Sequence, residues 1–172
     1  FNPHAILSMA LPLSVGTESV CELMDFALKA DPVLADMPAR LTAAMPEGIE
    51  VLEAYEGGRK SKELKFLRME GHFEYDGRPL GDMRAGLESF FSRESIVITR
   101  KTKRGEGESD IRPAISGISF VEGADCVRLH AVISAQEPTL NPAHLVSALH
   151  QLSPELEPDF AEFERIETYD AD

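Results

Sequence analysis

Three stretches of this 172-residue chain recur in the same order. Cys21–Ala30 and Cys126–Ala135 share an apolar pattern behind a leading cysteine. Pro38–Ala44 and Pro142–Ala148 share the spacing Pro-Ala-x-Leu-x-x-Ala. Leu52–Tyr55 and Ile166–Tyr169 follow as the third pair. Ordered self-similarity restricts the fold more than any local motif does, because each copy has to form the same small unit.

The local patterns give that unit a shape. Leu64–Tyr75 reads as a long strand, bent at Gly71. Asp82–Phe91 is an amphipathic helix with Asp82 as its cap and Met83, Leu87, Phe90 and Phe91 on one face. Ser95–Arg100, Ile111–Val121 and Asp125–Ser134 read as strands, and Lys101–Asp110 as a glycine-containing polar loop. Asn141 and Pro142 open a helix that runs to about Leu152, and Phe163–Tyr169 closes as a strand. Residues 64–169 are assigned the order β-α-β-β-α-β, a ferredoxin-like unit in which four antiparallel strands carry both helices on one face.

Residues 4–55 read as β-β-α-β, with strands at His4–Leu13, Val20–Leu28 and Ile49–Tyr55 and a short helix at Met37–Ala44. The expectation is an α+β protein of tandem ferredoxin-like units with antiparallel sheets, the first lacking its opening strand and helix. The units span 1–58 and 62–172, with Glu56–Ser61 as linker. One continuous α+β sheet without duplication is the alternative. Phe1-Asn2-Pro3-His4 has neither Met nor a signal-peptide pattern, so the chain is expected to begin inside something longer.

Charge is unevenly placed. Seventeen Lys and Arg against 30 Asp and Glu give a net charge of −13. Yet Arg59–Arg104 holds 12 basic and seven acidic residues, a local +5, which leaves −18 on the remainder. Such a chain repels nucleic acid at long range, while a local basic face still acts within a screening length of about 8–10 Å. No apolar run approaches the roughly 20 residues of a membrane span. Two cysteines, Cys21 and Cys126, are too few for a disulfide scaffold and read as small core residues. The expected compartment is cytoplasmic.

No phosphate-binding loop, dinucleotide fingerprint, nucleophile elbow or zinc-protease motif occurs, and the five histidines are scattered, so neither metal nor cofactor is expected. The most distinctive run is Arg100–Pro113. It brings Lys101, Lys103 and Arg104 at the end of one strand toward Asp110 and Arg112 at the start of the next. Donors of this kind clamp a phosphate or a carboxylate. Asn2 and His4 form a second candidate patch.

Phe1-Asn2-Pro3-His4, Leu11-Pro12-Leu13, Val15-Gly16 and Glu18-Ser19, together with Thr102-Lys103 and Asp110-Ile111-Arg112-Pro113, resemble the radical-SAM-linked protein family. That is a domain of unknown function encoded beside, or fused behind, a radical-SAM protein. Ala5 departs from the family's usual Pro, and the loop from Lys103 to Asp110 is slightly longer. The resemblance implies a radical-SAM partner and a strand-helix segment ahead of Phe1. The chain lacks a C-x-x-x-C-x-x-C triad, so any cluster chemistry would belong to that partner. The expected function is a non-catalytic binding module that contacts RNA or a protein substrate through the basic hairpin. An RNA-processing or RNA-modifying enzyme with His4 as acid/base is the first rival. A structural domain whose acidic surface meets a basic partner is the second.

Overall fold

The structure is a computed structural model that describes residues 7–28, 33–58, 63–102 and 105–170. It is a mixed α/β protein with three α-helices among the described residues and mostly antiparallel sheets. The chain divides into two compact units, 1–10 with 23–63, and 11–22 with 64–172.

In the first unit, β1 (Leu7–Met9) pairs antiparallel with β3 (Met24–Phe26). Between them in the chain lies β2 (Thr17–Ser19), which belongs to the second unit. A 3-10 turn at Leu34–Asp36 leads into α1 (Met37–Thr42), with Pro38 in its first turn. The expected strand at Ile49–Tyr55 is absent. The amide of Val51 donates instead to Thr42 Oγ1 at 2.9 Å, and that of Ile49 to the carbonyl of Pro46 at 3.2 Å. A strand needs a neighbour for its amides, and here local acceptors take them.

The second unit is built on β4 (Phe66–Glu74). Its burial alternates, with Leu67, Met69, Gly71 and Phe73 facing inward and Arg68, His72 and Glu74 exposed, as a half-buried strand requires. After β4 come α2 (Leu80–Phe91), β5 (Val97–Thr102), β6 (Gly105–Asp110), β7 (Ile115–Glu122), β8 (Cys126–Ser134), α3 (Ala143–Leu152) and β9 (Phe160–Tyr169). The sheet order is β2-β9-β4-β8-β7, and only the β2–β9 pair is parallel. The sequence reading placed three strands between the two helices, one more than its six-element order holds. The surplus strand is β5, which leaves the main sheet and pairs with β6.

Three local expectations need correction. Helix α2 begins two residues early, at Leu80, so Asp82 lies in its first turn and caps nothing. Gly71 does not bend β4; the register shift against β9 falls between Arg68 and Met69. Gly71 serves close packing, since a Cβ there would sit 3.1 Å from Phe163 Cδ1 and 3.2 Å from Leu129 Cδ2. The polar stretch Gly105–Asp110, expected as loop, is strand β6.

Both helices bury into one apolar cluster on one face of the sheet. From α2 come Leu87, Phe90 and Phe91, and from α3 come Leu145, Ala148 and Leu149. The rings of Phe73 and Phe163 meet edge to face at 5.9 Å, and Phe91 stacks on Phe120 at 5.6 Å. Contacts of this geometry add roughly 0.5–1.5 kcal/mol each beyond burial.

Residues 11–22 close the β9 edge of this core. Arg165 on β9 has only 8 % of its side chain exposed. Its Nη1 donates to the carbonyl of Leu11 at 2.8 Å and to Glu22 Oε1 at 2.7 Å, while its buried Nε has no partner. Ser19 Oγ donates to the same Glu22 oxygen at 2.6 Å, and Asn141 Nδ2 donates to Ser14 Oγ at 3.0 Å. A buried guanidinium is tolerated because a carboxylate faces it. The two partners are unequal, since Glu22 is partly exposed. Glu22→Ala strands the buried charge and should cost about 3 kcal/mol or more in urea unfolding. The paired change Glu22→Leu with Arg165→Met should cost clearly less, and equal losses would contradict this account of the clamp.

Candidate functional site

The hairpin β5–β6 is inserted between α2 and β7. Its register pairs Val97 with Asp110, Thr99 with Glu108, Arg100 with Gly107 and Lys101 with Glu106. The β-branched run Val97-Ile98-Thr99 favours a strand, and the partner strand supplies acids opposite two of its positions. Side chains alternate across the ribbon, so Ile98 is buried and Arg100 half-buried, while Thr99 and Lys101 are exposed.

Asp110 and Arg112 build the hairpin's base. Asp110 Oδ1 accepts from the amides of Ile96 at 2.9 Å and Arg112 at 3.0 Å, and Oδ2 accepts from Ser95 Oγ at 2.8 Å. The Ile96 and Arg112 amides hold its carboxyl below the ordinary value. Arg112 donates from Nε to the carbonyl of Arg93 at 3.1 Å and from Nη1 to that of Ile115 at 2.7 Å. It also lines a shallow open cleft of about 200 Å³ with Glu88, Phe91, Ser92, Ile118 and Phe120.

The hairpin is tied to α3 as well. Gln151 Oε1 accepts from the amide of Thr99 at 2.8 Å, and its Nε2 donates to the Thr99 carbonyl at 3.1 Å. One side-chain amide thus occupies the free edge of β5 as a neighbouring strand would. Gln151 continues a polar line along α3 through Ser147 and His144, at i, i+3 and i+7. Burial, followed by the charge of Arg100, pushes the His144 imidazole down from its ordinary value.

The structure separates the residues that the sequence reading gathered into one spot. Lys101 lies four ladder steps from the Val97–Asp110 pair, roughly 13 Å of strand. Asp110 and Arg112 hold backbone groups at the base, while Lys101 projects further out. Lys103, Arg104, Asn2 and His4 lie outside the described residues. Sequence reasoning passed over Arg100, His144 and Gln151 as site residues. The i, i+3, i+7 polar line along a mostly apolar helix was the available signal for the last two.

Several other cations are dispersed and matched, while Arg40, Lys65 and Arg128 carry no ion pair among the described residues. Arg68 pairs with Glu167 at 2.9 Å, Arg78 with Asp159 at 2.7 Å, and Arg84 with Glu88 at 2.7 Å. On the sheet face away from the helices, Glu18, Glu164, Glu70 and His130 lie side by side across four strands. That face is acidic at its centre and disfavours phosphate. Among the described residues no group of three His, Cys, Asp or Glu is placed to hold a metal ion, and no helix is long and apolar enough to cross a membrane.

Asp110 makes the hairpin's base acid-sensitive. Its folded pKa is lowered, so its contribution is present above the ordinary value of 3.8 and is lost as pH falls through the folded pKa. Hydrogen exchange should show the Ile96 and Arg112 amides protected at pH 5 and progressively opened below about pH 4. Asp110→Asn should remove most of that dependence, and an unchanged profile in the variant would reject the assignment.

Residues 1–142 match the model of a family described as "Uncharacterized protein conserved in bacteria (DUF2344)". No curated protein matches the chain, and no solved structure does.

Proposed function

We propose a non-catalytic binding role for this chain, which belongs to the family of uncharacterized proteins conserved in bacteria (DUF2344): its inserted hairpin contacts single-stranded RNA. The observation that carries this reading is the hairpin itself. It stands apart from the main sheet as its own two-stranded ladder, is anchored at its base and to α3, and carries Arg100 and Lys101 on the strand that precedes Lys103-Arg104 in the sequence. Neither Arg100 nor Lys101 has an ion-pair partner among the described residues, whereas Arg68, Arg78, Arg84 and Arg165 all do. Unmatched cations on a polar ribbon suit a phosphate backbone, and an acidic chain then binds RNA only where that ribbon reaches it.

The strand order β9-β4-β8-β7, with both helices on one face, supports a ferredoxin-like reading of the second unit. A tandem of two such units is part of the same proposal and rests on the three recurring segments. The radical-SAM partner rests on the sequence resemblance. A second reading, in which a basic protein docks on the sheet, draws support from the carboxylate row Glu18-Glu164-Glu70.

The binding test uses a pool of short single-stranded RNAs titrated at several salt concentrations. A Lys101→Ala, Lys103→Ala, Arg104→Ala variant should bind more weakly and lose about 2 units of log–log salt slope, at roughly 0.7 per phosphate contact. Unchanged affinity and slope would sink the hairpin assignment. Salt-sensitive capture of a basic protein by the triple variant, with no RNA binding by the parent chain, would favour the second reading.

A further inference from the structure

The main sheet ends on one side at β7, and no strand pairs with its outer edge among the described residues. The amide of Gly123 donates back to the carbonyl of Cys126 at 2.8 Å, so it faces β8. Backbone direction alternates along a strand, and Val121 and Ser119 therefore face β8 as well. The amides and carbonyls of Ile118, Phe120 and Glu122 point the other way, and none has a partner on that side among the described residues. An open edge is usually guarded by Lys, by Pro or by being very short, as the three-residue β2 is at the opposite end of the sheet. Strand β7 runs eight residues, contains neither Lys nor Pro, and leaves Val121 exposed. Its bulge falls at the start of the strand, between Ile115 and Gly117.

A groove runs beside that edge. Helix α2 lies antiparallel to β7. At one end a Cβ on Gly81 would sit 3.2 Å from Glu122 Oε2, and at the other Phe91 and Ser92 share the cleft of about 200 Å³ with Ile118, Phe120, Glu88 and Arg112. The core lies on the β8 side, where Leu129 and Ile133 are fully buried, so the cleft opens toward the free edge. A cleft of this size takes one side chain, whereas a whole small-molecule ligand takes about 300 Å³ or more. Arg112 has no ion pair among the described residues: its Nε and Nη1 hold the carbonyls of Arg93 and Ile115, and Glu88 is engaged by Arg84 at 2.7 Å. We propose that the β7 edge and this cleft bind an extended peptide segment of another protein, added antiparallel to β7, with an apolar last side chain in the cleft and its C-terminal carboxylate on Arg112. Three features select that occupant. Unpaired strand groups accept a backbone, the cleft accepts one side chain of it, and a guanidinium accepts a carboxylate. Direction agrees as well, since Arg112 stands just ahead of β7 and an antiparallel strand arrives there with its C-terminal end. A second copy of this chain suits the edge less, because each copy carries −13 and pairing β7 with β7 brings no chain end to Arg112. Nothing in this site depends on RNA binding by the hairpin.

The experiment exposes the full chain to a pool of fluorescent hexapeptides randomised at every position, made once with free C-terminal carboxylates and once as amides. The free-acid pool should yield binders that end in an apolar residue. Amidation of a selected binder should weaken it about tenfold or more, as the loss of a charge-assisted contact does. In Arg112→Gln the acid and the amide should bind alike. Arg112 also holds the hairpin's base, so two further variants leave it in place. Ser92→Phe should weaken the acid by filling the cleft, and Glu122→Pro should weaken it by removing an outward amide that Glu122→Ala keeps. Hydrogen exchange should show the amides of Ile118, Phe120 and Glu122 slowed by the peptide and those of Ser119 and Val121 unchanged. A pool that yields no binder, equal binding of acid and amide by the parent chain, or binding untouched by both Ser92→Phe and Glu122→Pro would overturn the site. A concentration-dependent dimer of the parent chain that Glu122→Pro dissolves would give the edge to a second copy and refute the peptide.

Discussion

Strand β4 carries the second unit because it is paired along its length on both sides, to β8 and to β9. Nine consecutive residues have their backbone groups satisfied there, and the alternation of side chains then commits Leu67, Met69, Gly71 and Phe73 to one face. A shift of one residue would send those groups to solvent and bring Arg68 and His72 into the core. Everything that positions the candidate site hangs on that choice of face. The helices α2 and α3 settle over it, and the C-terminal end of each fixes where the intervening hairpin leaves and where it docks.

The hairpin is an insertion with two attachments. Asp110 gathers the amides of Ile96 and Arg112 at the base, and Gln151 takes the outer edge of β5. The consequence is a ribbon held at defined spacing from α3 while its far end stays apart from the main sheet. Electrostatics follow the same division. Acids occupy the centre of the open sheet face, matched Arg–carboxylate pairs occupy the flanks, and the unmatched cations of the described second unit include those on the ribbon.

Much of the second unit is legible in the residues. The apolar spacing of Met83, Leu87, Phe90 and Phe91 gives α2, and the β-branched and apolar alternation of residues 126–134 gives β8. Asn141 stands one place ahead of its expected capping position: Pro142 is the N-cap and α3 starts at Ala143, whose amide donates to Asn141 Oδ1 at 2.9 Å. The strand β6 was not legible, because Gly-Glu-Gly-Glu-Ser-Asp has low intrinsic strand preference and is held by its ladder to β5. Ile49–Tyr55 failed in the opposite direction, since a strand-like pattern without a partner forms no ladder. For the site, Lys101 was visible as a charge in a hairpin, but the roles of Asp110 and Arg112 as base-builders depend on hydrogen bonds that spacing does not reveal.

Local chemistry along the chain determined which segments turn, which coil into helices and which alternate, because those preferences act over a few residues. It also determined where the positive charge is concentrated. Tertiary structure alone decided that β5 would abandon the main sheet, that residues 11–22 would close the edge beside β9, and that Gln151 would take the outer edge of β5. Those outcomes depend on contacts between residues tens of positions apart. Their energies come from burial and pairing that exist only once the sheet has formed.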